Sequence, residues 1–366
     1  MKLDIERDQL LKPLNRVSGV VERRQTLPIL ANVYVKLENS MLTLIGTDLE
    51  VEISETITGI KGKKGEITVT ARKLMDICRA LPETATINID TDGSLMTVRA
   101  GRSKFSLQTL PSKDFPKIDT DKWEERISLP AKELRQLLEK TSFSMANQDV
   151  RYYLNGLLLE ISGHCLRAVA TDGHRLAKSD LTLEGNESDF RQVIVPRKAV
   201  MELIRLLQEN EDNVVIEVSP NHIRVNTGAT IFTSKLIDGK FPDYEAVLSP
   251  LLTTVVSVER VPFLECLTRT AILTNEKFRG VRLNVEKSRM LVSAHNPEQE
   301  EASDELGIDY DEEAIEIGFN VTYMMDALKA LTDEKIELRL RDNNSSCTIS
   351  SPGDDNTLYL VMPMRL

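Results

Sequence analysis

"LTLIGTDLEVEI" (42–53), "LRAVATDGHRLA" (166–177) and "MLVSAHNPEQEEA" (290–302) each run an apolar strand into a polar pair and out again. The pairs Thr47-Asp48, Thr171-Asp172 and His295-Asn296 fall 124 residues apart, and three such periods account for the whole 366-residue chain. Self-similarity at a fixed pitch is the mark of repeated structural units, and it has to be found before any single motif is interpreted. The second copy raises an alternative. Asp172 beside Gly173 and His174, one of four histidines, has the residue types of an acid–base site. A polar pair at the same place in every unit is instead what a tight turn requires, because Asp and Asn side chains hydrogen-bond nearby backbone. Catalysis would need one copy alone to have acquired partners, and short motifs arise freely. The turn reading is the one adopted.

Other segments keep the same pitch. An apolar strand precedes each turn: "ILANVYVKLE" (29–38), "LNGLLLEI" (154–161) and "VRLNVE" (281–286). A strand running into a helix follows: "ITVTARKLMDICRAL", "VIVPRKAVMELIRLL" and "IEIGFNVTYMMDALKAL". Each unit also opens on strand then helix, the first helix spanning 6–24, and the units close on "FSLQTLPSKDFP", "FTSKLIDGKFPDY" and "LYLVMPMRL". Apolar residues recur at three- and four-residue steps in the helical segments, as at Met201, Leu203, Ile204 and Leu207. Strands joined by short turns imply antiparallel sheets. With helices on one face the class is α+β, in three repeated domains of antiparallel sheets with paired helices. The expected domains are 1–122, 127–248 and 253–366, with linkers at "DTDKWEER" (119–126) and "VLSPLLTT" (247–254).

Bulk composition narrows the classes. Hydrophobic residues make up 41% and charged residues 28%, the balance of a globular protein. No apolar run approaches the ~18 residues of a membrane span, and "MKLDIERDQLLKPL" lacks a signal peptide's apolar core. Cytoplasmic residence is the expectation. Cys78, Cys165, Cys266 and Cys347 are scattered without a CxxC pair, against zinc and against a disulfide framework. The net charge of −11 by itself disfavours nucleic acid, whose phosphates need clustered cations. The charges are segregated, however. "ARKLMDICRA" holds Arg72, Lys73 and Arg79 against Asp76 alone, and "PRKAVMELIR" holds Arg197, Lys198 and Arg205 against Glu202 alone, while acids crowd 296–316. Segregation of this kind gives an acidic protein one cationic surface. The acidic run lacks the spacing of a calcium loop, so it reads as a solvated strand edge. No GxxxxGK[ST], GxGxxG or GxSxG occurs to anchor an ATP-driven or hydrolytic mechanism.

"TLPIL" (26–30), "GTDLE" (46–50), "QDVRYYLNG" (148–156), "ATDGHRLA" (170–177), "VPRK" (195–198), "NEKFRGVRL" (275–283), "NPEQEEA" (296–302), "GFNVTY" (318–323) and "VMPMRL" (361–366) closely resemble the bacterial sliding clamp family, the beta subunits of replicative DNA polymerases. The likeness runs end to end and in order. It implies a head-to-tail homodimer forming a six-domain ring, without enzymatic activity, metal or cofactor. Such a ring encircles double-stranded DNA independently of sequence. It tethers the replicative polymerase, the clamp loader and other proteins through short clamp-binding peptides.

Carried over by residue, the resemblance assigns DNA contact to Arg24, Arg72, Lys73, Arg197 and Lys198, and to Gln148, Tyr152 and Tyr153 in a loop where rings meet bases. It places a partner-peptide pocket at Leu154, Thr171, Gly173, His174, Arg175, Leu176, Pro242, Val247, Ser346, Val361, Met362, Pro363, Met364 and Leu366. Aliphatics and flexible methionines suit apolar anchors of differing shape. It places the dimer contact at Arg102, Lys104, Phe105 and Leu107 on a first-domain edge, meeting Ile272, Leu273, Glu298, Glu300 and Glu301 of the third domain. One departure stands out: Glu245 and Ala246 occupy positions where the best-known member carries two arginines.

Overall fold

The structure, a computed structural model, describes residues 1–21, 27–118, 122–185, 188–248 and 254–365. Its helices are α1 (Arg7–Val17), α2 (Ala71–Ala80), α3 (Ala131–Ser142), α4 (Arg197–Leu207), a single turn α5 (Glu245–Leu248), α6 (Arg260–Thr270) and α7 (Val321–Ala330). Apart from α5, each follows directly on a strand, two per repeat, as the sequence pattern requires. The first helix is shorter than the expected 6–24. It stops at Val17, where Ser18 and Gly19 carry poor helix propensity. Gly19 also leaves room for Arg205: a Cβ there would stand 2.1 Å from the guanidinium.

Helical burial follows the apolar stripe. In α2, Ala71, Leu74 and Cys78 are buried while Arg72, Lys73 and Arg79 face solvent. In α4, Leu203, Ile204 and Leu207 are buried but Met201 is exposed, so it does not belong to the stripe. Val200 holds the stripe position one residue earlier. Three cysteines are buried and Cys165 is half-buried. Burial pushes the Cys78 thiol up to about 11 and the Cys266 thiol to about 12, which keeps both from acting as thiolates.

The chain forms two compact units, Met1–Leu134 with Met201–Leu236, and Arg135–Val200 with Ile237–Leu366. The middle repeat therefore contributes to both. In the first unit a thirteen-strand sheet passes from one repeat into the next. Thr230–Lys235 pairs antiparallel with Val51–Thr58, setting Thr230 opposite Glu55 and Phe232 opposite Ile53. In the second unit Thr357–Val361 pairs with Arg175–Thr182 in the same manner, setting Thr357 opposite Ser179 and Tyr359 opposite Ala177. The third repeat's remaining four-strand sheet ends on Glu301–Gly307. Its core, in the second unit, is built from Phe263, Leu267, Val281, Leu283, Phe319, Met324 and Tyr359, all essentially removed from water. Among the described residues, no helix is long and apolar enough to cross a membrane.

Candidate functional site

The repeated turns are capped by their own side chains. The Thr47 hydroxyl donates to Val51 O and accepts from Leu49 N, while Asp48 Oδ1 accepts from the amides of Glu50 and Val51. The Thr171 hydroxyl donates to Arg175 O and accepts from Gly173 N, while Asp172 Oδ1 accepts from the amides of His174 and Arg175. The two networks match bond for bond. Asp172 spends its other oxygen on Arg175 Nε at 3.1 Å, so it engages the backbone of His174 rather than its imidazole. The third turn is two residues longer, and there Asn296 bonds both the amide and the carboxylate of Glu300. Among the described residues, these turns assemble no acid–base pair.

What the second turn does is wall a cleft of about 220 Å3 in the second unit. Its lining includes eight of the expected residues: Leu154, Thr171, Gly173, Arg175, Leu176, Pro242, Val247 and Met362. Gly173 has φ +87°, and a Cβ there would press on the Arg151 guanidinium at 3.0 Å, so the position favours glycine on both counts. Arg175 is locked in place: it donates to Asp326 at 2.7 Å and to Phe143 O at 2.7 Å, and lies 4.4 Å over the Tyr323 ring. It stiffens the wall.

Several expected pocket residues sit elsewhere. His174 is exposed and joins the cleft only through its carbonyl, which accepts from Met362 N at 2.9 Å. Val361 is buried on the other side of its strand, because adjacent strand residues point to opposite faces. Leu360, opposite Leu176, and Met362 face the cleft instead. Ser346 and Pro363 are not among the cleft's walls, and Met364 lines a separate hollow of about 410 Å3 with Phe278 and His295. Leu366 lies outside the described residues, as does Arg24. The remaining walls, Arg151, Tyr153, Asp243, Tyr244 and Leu360, were not expected. Alternation from Met362 pointed to Leu360; nothing local pointed to Tyr244, which packs with Leu158, Leu176 and Phe241.

Tyr153 lines the cleft as well as belonging to the loop expected to meet DNA. Both tyrosines lie on a short 3-10 helix, Tyr152–Leu154, with rings 5.8 Å apart, edge to face. Tyr152 is exposed; Tyr153 packs on the cleft core. Beside Tyr152 the loop carries Gln148 at φ +58° and Val150, 95% exposed. Of the helix cations, Arg72 and Lys73 are exposed, Arg72 facing Asp76 at 3.8 Å. Arg197 Nη1 donates to Met145 O at 3.0 Å, and Lys198 is half-buried.

Two of the open strand edges concern the junctions between repeats. Ser103–Leu110 pairs with Leu95–Ala100 along Ser103–Gln108, but on its other side only Thr109 and Leu110 find partners. Glu301–Gly307 pairs with Arg289–His295 and is outermost in its sheet. Lys104 is exposed and Phe105 and Leu107 are half-buried on the first edge, with Arg102 exposed in the preceding turn. Ile272 is 76% exposed rather than core, on a 3-10 turn after α6 with half-buried Leu273. It shares a polar hollow with Glu298 and Glu300, next to Glu301.

These edges match the strands that join inside the chain. Phe105, Phe232 and Tyr359 hold the same ladder position, opposite Val98, Val225 and Ile349. Glu52, Leu176 and Glu301 each stand opposite the turn residue of their repeat, Thr47, Thr171 and His295. A helix cation reaches each of these strands or the strand paired with it: Arg16 contacts Glu55 at 3.1 Å, Lys140 donates to Thr357, opposite Ser179, at 3.2 Å, and Arg269 contacts Asp304 at 2.5 Å. Among the described residues, no cluster of three or more His, Cys, Asp or Glu is placed to hold a metal ion.

Family models match in three consecutive pieces. Residues 1–119 match the N-terminal domain of the DNA polymerase III beta subunit, 128–243 its central domain and 249–365 its C-terminal domain. The beta sliding clamp of Pseudomonas putida is 50% identical over 367 residues, covering all of both chains. A crystal structure of the DNA polymerase III beta subunit from Pseudomonas aeruginosa superposes with a TM-score of 0.98 at 49% identity, all of each chain covered. Another from that organism, bound to griselimycin, gives 0.96 at 49%, again with full coverage. The chain belongs to the DNA polymerase III beta subunit family and is a DNA sliding clamp, a non-catalytic processivity factor that binds DNA and the polymerase.

Proposed function

We propose that two copies close head to tail into a ring by the rule that already joins the repeats within one chain. The edge Ser103–Gln108 of one copy pairs antiparallel with Glu301–Gly307 of the other. By equivalence with Thr230 opposite Glu55 and Thr357 opposite Ser179, Ser103 stands opposite Asp304 and Phe105 opposite Ala302. Ile272 and Leu273 cover the apolar centre, while Arg102 and Lys104 meet Glu298, Glu300 and Glu301 at the rim. The observation that carries this reading is the open pair of edges, each equivalent to a strand that is paired at both internal junctions.

DNA is held without base readout. Arg24, Arg72, Lys73, Arg197 and Lys198 meet phosphates, and Gln148, Tyr152 and Tyr153 touch DNA from the loop, Tyr153 also lining the cleft. The Arg72–Asp76 pair is exposed and weak enough to yield to a phosphate. Partners dock short peptides in the cleft, whose aliphatic and methionine walls suit apolar anchors. The domains run 1–122, 127–248 and 253–366, and the protein works in the cytoplasm.

Loading onto nicked circular DNA, followed by linearisation, tests the ring. The expected outcome is retention on circles at moderate salt and loss within minutes once ends are cut. Equal retention before and after cutting would mean an ordinary binder and defeat the proposal.

A further inference from the structure

The cleft is asymmetric in charge. Among its walls Arg151 lies against Gly173, with its guanidinium paired to Asp149 at 2.9 Å. Segment 238–245, which supplies the walls Pro242, Asp243 and Tyr244, carries Asp238, Asp243 and Glu245 against Lys240 alone, all exposed. Asp243 itself lines the cleft beside Val247. Glu245 begins α5 and touches Arg167 at 3.4 Å, yet its side chain is 70% exposed.

That contact does not neutralise it. Arg167 is committed elsewhere: Nε and Nη2 grip Asp180 at 2.7 and 2.9 Å, and Nη1 donates to the Tyr244 hydroxyl at 3.1 Å and meets Glu160 at 3.5 Å. Lys178, the nearby second cation, is also bound to Asp180, at 2.8 Å. Three carboxylates thus surround two cations before Asp243 is counted. An arginine–carboxylate fork is strong because both of its bonds are charge-assisted, so Glu245 is the partner most easily surrendered. Glu245 opens the helical turn whose Val247, 42% exposed, lines the cleft and together with Met362 offers an apolar anchor point.

We infer that Glu245 and Asp243 make this rim a selectivity element favouring partner peptides whose apolar anchor is flanked by Lys or Arg, and disfavouring acidic flanks. The inference rests on the cleft being the peptide site and adds the charge of the peptide that fits it. The probes are two fluorescein-labelled peptides sharing one Leu-Phe anchor, with Lys-Lys or Glu-Glu beside it, measured by anisotropy against the full-length protein. At low salt the basic peptide is expected to bind roughly two- to five-fold tighter, the range of exposed ion pairs. The preference should shrink as salt rises, and Glu245→Arg should reverse it. Equal affinities at low salt, or an unchanged preference in E245R, would overturn it. Met362→Asp separates the two readings. Loss of both peptides in that variant confirms the cleft whatever the flank does. Unaltered binding there would mean that the peptides dock elsewhere and remove both readings.

Discussion

Asp180 shows how one half-buried carboxylate organises the polar side of the cleft. Burial pushes its pKa up, but hydrogen bonds from Arg167 and Lys178 more than offset this and leave it below the ordinary aspartate value. A carboxylate with a lowered folded-state pKa contributes stability that is complete above its unfolded value. That contribution is lost as pH falls through the lowered folded value. Asp180→Asn should therefore cost about 1.5–3 kcal/mol at neutral pH, the range for hydrogen bonds to charged groups. Chemical denaturation of both proteins across the acid range checks it: the gap should close toward acid, and a gap constant with pH would contradict the assignment. Residue-level legibility was uneven. Asp48 and Asp172 were readable as turn caps because their partners lie two or three residues away. Arg175 was not readable as a strut, since Asp326 and Tyr323 are some 150 residues distant in sequence.

Strands and helices were the most legible scale. Helix starts at Ala71, Ala131, Arg197, Arg260 and Val321 follow directly from strand patterns running into stripes of period 3.6. Periodicity overruns the end of α1 and sets the exposed Met201 on the buried face, because it names an apolar stripe without saying where its edge falls. The edge strands carry the sharpest element-level expectation. Phe105→Asp places a charge opposite Ala302 of the second copy and should leave a monomer in sedimentation at micromolar concentration. Ile272→Asp should do the same. Ile272 is exposed and Phe105 half-buried in the single chain, so both variants should fold, with the unfolding midpoint of Ile272→Asp within a few degrees of the parent. Either variant sedimenting at twice the 41.2 kDa chain mass would exclude that contact.

For the molecule as a whole, a net charge of −11 coexists with DNA binding because attraction depends on local rather than summed charge. Replacing Arg72 and Lys73 together by alanine should flatten the logarithmic salt dependence of binding to a short linear duplex by up to about 1.8, for two phosphates. Fluorescence anisotropy from low to moderate salt reads this directly. An unaltered slope would remove α2 from the DNA surface. The threefold duplication, the α+β class and the family were already written in the sequence, because each depends on patterns within one repeat or on motifs that run unbroken along the chain. The tertiary structure alone decided which side of the Leu360–Met362 strand faces the cleft, that Tyr153 serves the cleft while Tyr152 faces solvent, and that two of the equivalent strand edges stay open. Those outcomes turn on side-chain direction and on pairing between segments far apart in the chain, and neither is encoded in local periodicity.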